Sequence, residues 1–428
     1  MTNRLVVILE DVVAGSIERL SDGRLRFTYD EEYRSQSAPT PLSLSMPVQV
    51  STHPDHIVTP WLQGLLPDND RVLTSWSRQF HTSSSPFSLL STQVGEDCAG
   101  AVRFARPEQV DRVLGQPGSV TWLTEDDVAE RVRELRADAT SWLGREFTGK
   151  FSLAGAQAKT ALLRQGDQWG EPSGSTPTTH ILQPAVEGLD DHDLTEHLCL
   201  DAARRAGLLA VKTSVARFAG QSAVVVDRYD RSTEGSSTVR VHQEDLCQAL
   251  SVPPSKKYQN DGGPSPGQVA KFLRRAMAPR IADEAVHRFA DALIWNWLIA
   301  GTDGHAKNYS LLLVGNHVRL APLYDVASAL PYGTHERQLR LAMKVGGDYR
   351  VLPQRNNWPA AADELGLEAD DLLARVAELG ELLPAAFCGA ASAPEVVALD
   401  RRMPDRLVEL VTERSRRCLA IARMSSLS

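Results

Sequence analysis

Three polar side chains in the second half of the chain have the types and order that phosphoryl transfer requires. Asp303 and Asn308 are separated by four residues in G-T-D-G-H-A-K-N, and Asp325 follows in Y-D-V. In kinases a D-x-x-x-x-N loop supplies an Asp that orients the acceptor hydroxyl and an Asn that ligates Mg²⁺, while a later Asp also ligates the metal. The trio therefore predicts phosphoryl transfer from a nucleotide, with Asp303 catalytic and Asn308 and Asp325 holding Mg²⁺.

A loop of small residues lies earlier in the chain. Residues 152–159 read S-L-A-G-A-Q-A-K, and small side chains let backbone N–H groups approach phosphate oxygens closely. Lys159 adds positive charge to this candidate phosphate loop. In the later motif, Lys307 is suited to offset charge on the transferred phosphoryl group, whereas His305 is interpreted as fixing the loop by hydrogen bonds.

Two hydrolase interpretations fit less well. A metal hydrolase built on Asp303 and His305 lacks a second histidine four residues on and an H-E-x-x-H motif. A G-x-S-x-G match at residues 263–267 follows a loop rather than a strand, and Pro266 lacks the N–H that an oxyanion hole requires.

Two other polar segments have ordinary interpretations beside functional ones. Residues 243–245, Q-E-D, lie between a predicted strand and a predicted helix, where backbone groups are available to hydrogen-bond an adenine edge. The same residues equally suit the acidic first turn of that helix. Residues 258–263, Y-Q-N-D-G-G, are interpreted as an ordinary turn.

Periodicity and turn residues predict the elements that position these side chains. The predicted strands cover residues 5–9, 24–29, 100–104, 151–163, 178–184, 223–227, 310–314 and 318–320, with an extended piece at 41–50, turns at 14–16 and 21–23, and a hairpin turn at Gly315-Asn316. The predicted helices cover two short stretches between 61 and 76, broken at Pro67-Asp68, then 125–143, 194–206, 244–249, 265–278, 283–300, 368–379 and 404–423.

The length of the 428-residue chain and the succession of predicted strands and helices indicate several subdomains. We expect an N-terminal α/β subdomain at residues 1–110, a connecting helical segment at 111–150, a small sheet-containing lobe at 151–245 and an all-helical large lobe at 246–428.

Composition excludes some functions. The net charge of −8 opposes a general electrostatic grip on nucleic acid, which depends on Lys and Arg. Five cysteines without a C-x-x-C pair favour a reducing cytoplasm. The first residues lack the pattern of a signal peptide, and no apolar run approaches the roughly 18 residues of a membrane span, so a cytoplasmic protein is expected.

An ordered set of motifs resembles the HipA family of serine/threonine kinase toxins, which belong to HipBA toxin–antitoxin modules. The motifs are P-L-S-L-S-M-P at 41–47, L-L-P-D at 65–68, P-F-S-L-L-S at 86–91, G-A-V at 100–102, S-L-A-G-A-Q-A-K-T-A-L-L at 152–163, P-T-T-H-I-L at 177–182, Q-E-D-L-C-Q at 243–248, T-D-G-H-A-K-N at 302–308 and P-L-Y-D at 322–325. The resemblance implies an α+β, two-lobed kinase-like fold that uses ATP and Mg²⁺.

The resemblance also implies residue roles. Asp303 would be catalytic, Asn308 and Asp325 would bind the metal, and Ser152 would be an autophosphorylation site that expels the phosphate loop. The implied ATP-binding residues are Ala154, Gly155, Ala156, Gln157, Lys159, Gln183, Gln243, Glu244, Asp245, His305, Lys307, Asn308 and Asp325.

Targets and partners follow from the same resemblance. The family phosphorylates aminoacyl-tRNA synthetases, with glutamyl-tRNA synthetase the target of full-length members, and thereby causes growth arrest and persistence. A HipB-like helix-turn-helix antitoxin neutralises the toxin and contacts DNA, which agrees with the acidic charge of this chain.

One position departs from the family pattern. Where T-H-I is usually followed by a nucleotide-binding lysine, this chain has Gln183, so Glu196 would lack its ion-pair partner. An amide can donate to a phosphate oxygen but carries no charge. The alternatives to an active protein kinase are a weakly active or non-catalytic subunit that represses transcription with its antitoxin, and a small-molecule phosphotransferase.

Overall fold

The computed structural model describes residues 3–144, 151–155, 157–185, 188–234, 237–333, 335–352 and 357–425. The fold is α+β. Its strands are β1 (Arg4–Leu9), β2 (Val12–Arg19), β3 (Leu25–Tyr29), β4 (Thr52–His53), β5 (Val102–Ala105), β6 (Ser119–Leu123), β7 (Thr160–Gln165), β8 (Gln168–Ser173), β9 (His180–Gln183), β10 (Thr213–Phe218), β11 (Gln221–Asp227), β12 (Arg231–Glu234), β13 (Ser237–Arg240), β14 (His242–Asp245), β15 (Ser310–Val314), β16 (His317–Leu320), β17 (Arg340–Val345) and β18 (Asp348–Arg350). Its helices are α1 (Glu31–Arg34), α2 (Asp55–Gly64), α3 (Asp70–Gln79), α4 (Pro86–Leu90), α5 (Val110–Gly115), α6 (Glu125–Ala137), α7 (His192–Arg205), α8 (Leu246–Ala249), α9 (Pro266–Ala276), α10 (Pro279–Ile299), α11 (Asn357–Leu365), α12 (Ala369–Ala391), α13 (Pro394–Val397) and α14 (Met403–Ser425).

The chain forms two compact units. The first unit contains Met1–Pro184, Arg217–Ser255 and Ser310–Val318. The second contains Ala185–Ala216, Lys256–Tyr309 and Arg319–Ser428. Within the described part of the chain, no helix combines the length and the apolar character needed to cross a membrane.

The first unit begins with a five-stranded sheet in the order β4-β3-β2-β1-β5. Strand β1 reads as a continuous apolar run because both of its faces are covered: Leu5, Val7 and Leu9 enter the main core, and Val6 and Ile8 enter a smaller cluster on the other face. A second sheet has the order β10-β11-β9-β7-β8-β6. Strand β9 pairs with β7 and β11, so Gln183 lies in the middle of this sheet.

Three predictions about the N-terminal segment have different outcomes. The turn predicted at residues 14–16 is wrong, because those residues lie inside β2. The chain reverses instead at Glu10 and Asp11, which have φ of 51° and 62°, the left-handed pair that a tight hairpin requires. The turn at 21–23 is confirmed, with Gly23 at φ 85°. The extended piece predicted at 41–50 forms only an isolated bridge between Ser43 and Met46.

The predicted strand at residues 151–163 is also partly wrong, since β7 begins only at Thr160. Phe151, Ser152 and Leu153 are all buried in succession rather than alternating. Phe151 and Leu153 pack into the same core as the first sheet, and this core also contains Trp142. The N-terminal core therefore extends to both sides of Ser152.

The second unit is mainly helical. Helix α12 packs against α14 and α7 and continues past Pro384 to Ala391, well beyond the predicted end at 379. Helix α6 of the first unit, by contrast, ends at Ala137 rather than at 143. Strands β17 and β18 lie in the segment predicted to be all helical. The two short helices between 61 and 76 and strand 310–314 are confirmed as α2, α3 and β15.

Candidate active site

Helix α10 leads into residues 301–308, the candidate catalytic loop, and a backbone carbonyl near the end of the helix fixes how the loop leaves it. The helix ends at Ile299, and Ala300 adopts the left-handed conformation with φ 55°. The Gly301 N–H then donates to the Asn296 carbonyl at 2.7 Å. A Cβ atom on Gly301 would lie 2.4 Å from Asn296 Oδ1, so a side chain at this position requires the loop to move.

The Asp303 carboxylate lies at an accessible point of this loop. Its side chain is 59% exposed, and Oδ1 lies 4.0 Å from His305 Nε2. The Tyr258 hydroxyl donates a hydrogen bond to the same oxygen. An exposed carboxylate held by a neutral donor is suited to accept a hydrogen bond from an acceptor hydroxyl.

Asn308 joins the two acidic segments of the site. Its Nδ2 donates to the backbone carbonyl of Asp303 at 2.8 Å and to that of Asp325 at 3.4 Å. Because both bonds use the amide nitrogen, Oδ1 remains the acceptor end of this side chain. Asp325 itself has φ 55°, a strained value for a non-glycine residue. An amide oxygen and a carboxylate are oxygen donors of the kind Mg²⁺ takes, so this donor set fits the metal.

His305 and Lys307 are buried parts of the same loop. His305 is 3% exposed, and its ring meets the Tyr258 ring edge-on, with centroids 4.9 Å apart. Lys307 is 5% exposed, and its backbone carbonyl accepts a hydrogen bond from the Tyr324 hydroxyl at 2.6 Å. Tyr324 precedes Asp325, so this bond provides a second connection between the two acidic segments.

The candidate phosphate loop belongs to the first unit, where the N-terminal sheet domain holds its first residue. Ser152 is fully buried; its Oγ donates to the Leu65 carbonyl at 2.7 Å and its N–H to the Asp97 carbonyl at 2.9 Å. Burial alone would raise the pKa of Asp97, but the guanidinium groups of Arg240, Arg231 and Arg228 lower it to about 2. Ser152 is thus fixed to a charged, rigid cluster.

The tip of this loop is held as well. Gly155 has φ 109°, and its carbonyl accepts from the Asp68 N–H at 2.9 Å. Lys159 Nζ donates to the Ala154 carbonyl at 3.2 Å and lies 5.7 Å from the centroid of the Trp142 ring. Ala156, which the sequence also assigns to nucleotide binding, lies outside the described residues.

Gln183 lies beside the phosphate loop. The residue is 6% exposed, and its Nε2 donates to Gln157 Oε1 at 3.3 Å. A neutral amide pair therefore occupies the position where the family pattern has a lysine. Glu196 is buried in α7, which belongs to the second unit.

Residues 243–245 lie in β14 (His242–Asp245), and their side chains form hydrogen bonds within the first unit. Gln243 Oε1 accepts from the Tyr229 hydroxyl at 2.8 Å, and Asp245 caps α8. Burial raises the pKa of Glu244 to about 8, against the opposing effect of hydrogen bonds from Ser43 and Leu44. The helix predicted at 244–249 is wrong at its start, because Glu244 pairs with Leu311 as a strand residue.

Two residues that contact the catalytic loop were not identified from the sequence. Tyr258 was interpreted as part of an ordinary turn, and nothing in its local pattern indicates a contact 45 residues away. Asn296 does leave a signal, since it is a single amide inside the apolar run A-L-I-W-N-W-L-I. A buried amide in such a run needs a local partner.

Comparison with known proteins gives two domain matches and several relatives. The HipA N-terminal domain matches residues 5–105, and the HipA-like C-terminal domain matches residues 151–387. A putative kinase Y4mE from Sinorhizobium fredii is 31% identical over 359 residues, covering 83% of this chain and 84% of that protein. The serine/threonine-protein kinase toxin HipA of Shewanella oneidensis is 26% identical over 367 residues, covering 82% and 81%.

A solved structure shares the fold. In the complex of HipA, HipB and operator DNA from Shewanella oneidensis, one chain superposes with a TM-score of 0.82 at 21% identity, covering 99% of both chains. The C-terminal domain match alone covers more than half of the sequence, and the relatives named above carry the names of a putative kinase and of a kinase toxin. The chain belongs to the HipA family.

Proposed function

We propose that this chain is a serine/threonine protein kinase and the toxin of a toxin–antitoxin pair. The observation that carries the proposal is the pair of hydrogen bonds from Asn308 to the backbones of Asp303 and Asp325. These bonds connect the backbones of the two acidic segments, and the side chains of Asp303, Asn308 and Asp325 are of the types that phosphoryl transfer requires.

In this proposal Asp303 accepts the proton of a serine or threonine hydroxyl. The hydroxyl oxygen forms a bond to the γ-phosphorus of ATP, and the bond from that phosphorus to the β,γ-bridging oxygen breaks, with its electron pair leaving on ADP. Mg²⁺, when bound, neutralises charge on the phosphates. Asn308 and Asp325 would hold the metal, and the backbone of residues 154–157 with Lys159 would bind phosphate oxygens.

Regulation is proposed at Ser152. Its hydroxyl is fully buried against the Leu65 carbonyl, so a phosphate cannot be accommodated there without moving the loop. Autophosphorylation would therefore displace residues 152–159 and weaken ATP binding.

The proposed substrate is an aminoacyl-tRNA synthetase, with glutamyl-tRNA synthetase the first to test, and the result in the cell is growth arrest and persistence. The proposed partner is a HipB-like antitoxin that neutralises the kinase and contacts DNA for the complex. The solved HipA chain was obtained with HipB and operator DNA, which supports this partner.

The test is transfer of labelled phosphate to glutamyl-tRNA synthetase. Purified wild-type protein with labelled ATP and Mg²⁺ should label the synthetase, and Asp303→Asn should not. Asp283→Asn, an exposed position in α10, serves as the matched control. A wild-type chain that labels neither the synthetase nor itself refutes the proposal.

A second candidate is a non-catalytic subunit that represses transcription with its antitoxin. The observation that favours it is the neutral Gln183–Gln157 pair beside the phosphate loop. Tight antitoxin binding without measurable ATP binding would support this candidate over the kinase.

A further inference from the structure

The segment at residues 256–263 is built as a rigid support for the catalytic loop. It closes on itself, since the N–H groups of Asp261 and Gly263 both donate to the Tyr258 carbonyl, at 3.0 and 2.9 Å. A Cβ atom on Gly263 would lie 2.5 Å from the Lys256 carbonyl oxygen, so the closure depends on glycine. Sequence patterns identify only a turn here, but the turn has a fixed shape.

This support is attached on two sides within the second unit. On one side, Gln259 Oε1 accepts from the Lys344 N–H of β17 at 2.7 Å. On the other side, the Ala306 N–H of the catalytic loop donates to the Lys257 carbonyl at 3.1 Å. Tyr258 lies between these two attachments.

Tyr258 makes two contacts with the catalytic loop. Its hydroxyl donates to Asp303 Oδ1, and its ring meets the buried His305 ring edge-on at 88°. The ring contact fixes the direction of the phenol, and the rigid turn fixes its position. The hydroxyl therefore reaches the carboxylate at a defined place.

We infer that Tyr258 is a positioning residue that holds the Asp303 carboxylate in the rotamer used for phosphoryl transfer. Asp303 is 59% exposed, and the hydrogen bond from Tyr258 restricts the conformational freedom of its carboxylate before the acceptor protein binds. A carboxylate held in this way presents a defined oxygen to the acceptor hydroxyl. This inference depends on the proposed kinase activity and adds a residue to its machinery.

Tyr258→Phe tests the inference because it removes the hydroxyl and keeps the ring against His305. Hydrogen bonds to charged groups contribute about 1.5–3 kcal/mol, so kcat should fall about 10- to 100-fold. KM for ATP and the thermal midpoint should stay at the wild-type values, since the substitution keeps the ring and its contact with His305. Tyr349→Phe in β18 is the matched control and should keep full activity.

A kcat for Tyr258→Phe equal to that of the wild type overturns the inference and leaves the proposed kinase activity intact. A fall in kcat that is accompanied by weaker ATP binding and a lower thermal midpoint also overturns it, because the three changes together indicate a merely structural role. Phosphate found on Tyr258 by mass spectrometry would likewise overturn it, since the hydroxyl would then be an acceptor.

A second measurement does not require activity. In protein labelled with ¹³Cζ-tyrosine, the Tyr258 signal, assigned with Tyr258→Phe, should shift in Asp303→Asn and not in Asp283→Asn. An unchanged signal overturns the contact. A wild-type chain that transfers no phosphate but shows this shift refutes the kinase proposal while supporting the contact between the two side chains.

Discussion

The side-chain amide of Asn308 donates to the backbone carbonyl of Asp303 at 2.8 Å, which closes the catalytic loop on itself. The same nitrogen reaches the Asp325 carbonyl at 3.4 Å. One residue thus has two separable roles, because its nitrogen shapes the site and its oxygen is the proposed metal ligand.

Substitution of Asn308 should separate these roles. Asn308→Asp keeps an oxygen ligand but cannot donate, so transfer should fall about 10- to 100-fold while half-saturation by Mg²⁺ stays at or below the wild-type concentration. Asn308→Ala loses the oxygen ligand as well as the donor, so its transfer should fall and its half-saturation should need a higher Mg²⁺ concentration. The measurement is a Mg²⁺ titration of phosphate transfer, with the exposed turn variant Asn316→Asp as control. Wild-type transfer by Asn308→Asp would show that the amide nitrogen is not needed.

Gln183→Lys should strengthen nucleotide binding. A buried amide that pairs with Gln157 would become a cation beside the phosphate loop, and one charge-assisted bond to phosphate should lower the Kd for ATP about tenfold. The unliganded protein should be less stable, because the added charge is buried. Titration with a fluorescent ATP analogue measures the first effect. Gln165→Lys, at the exposed end of β7, should leave the Kd unchanged; if Gln183→Lys does the same, the lysine position does not contact the nucleotide.

Ser152→Glu should weaken ATP binding, and Ser152→Ala should not. Ser152 is fully buried, so a carboxylate at this position loses its contact with water unless the loop leaves its place. Ser152→Ala loses only the bond to the Leu65 carbonyl, which costs about 1 kcal/mol of unfolding free energy. The same ATP titration distinguishes the variants, and Ser84→Glu in an exposed loop is the control. ATP affinity of Ser152→Glu equal to wild type would argue against control of the loop by Ser152.

Because of Glu244, the free energy of unfolding of the first unit should fall as the pH rises. Burial raises its pKa to about 8, above the ordinary value of 4.5, so between these values the folded state holds a proton that the unfolded state has lost. Its contribution is complete below pH 4.5 and disappears as the pH passes through about 8. Urea midpoints at pH 5, 7 and 9 should fall more steeply for the wild type than for Glu244→Gln. Glu409→Gln, exposed on α14, should follow the wild type; parallel curves for Glu244→Gln would contradict the buried proton.

Local patterns predicted the elements that depend on local chemistry. Strand 310–314 follows from a short apolar run before the Gly315-Asn316 turn, and the break between α2 and α3 at Pro67-Asp68 follows from proline. The turn at residues 14–16 failed, since Gly15 packs closely inside β2 and the reversal occurs at two non-glycine residues. Helix α12 extends beyond its predicted end at residue 379. It packs against α14 and α7 and continues through Pro384.

The contacts between distant residues in the candidate site could not be predicted from local sequence patterns. Residue types and spacing predicted Asp303, Asn308 and Asp325 as site residues, because metal binding and proton transfer restrict the residue types. The partners of these residues come from distant segments, such as Leu65 for Ser152 and Tyr258 for Asp303, and only the folded chain brings them together. Glu244 shows the same limit, because it was predicted in the first turn of a helix but is a buried strand residue that pairs with Leu311 and accepts a hydrogen bond from Ser43.

The central claim is that Asp303 supports phosphoryl transfer in this chain despite Gln183. The most direct measurement is the intact mass of the protein after incubation with ATP and Mg²⁺, followed by location of any phosphate. We predict a gain of one phosphate on Ser152 in the wild type and in Asp283→Asn, and none in Asp303→Asn. An unmodified wild type, or equal phosphate on Asp303→Asn, would contradict the account.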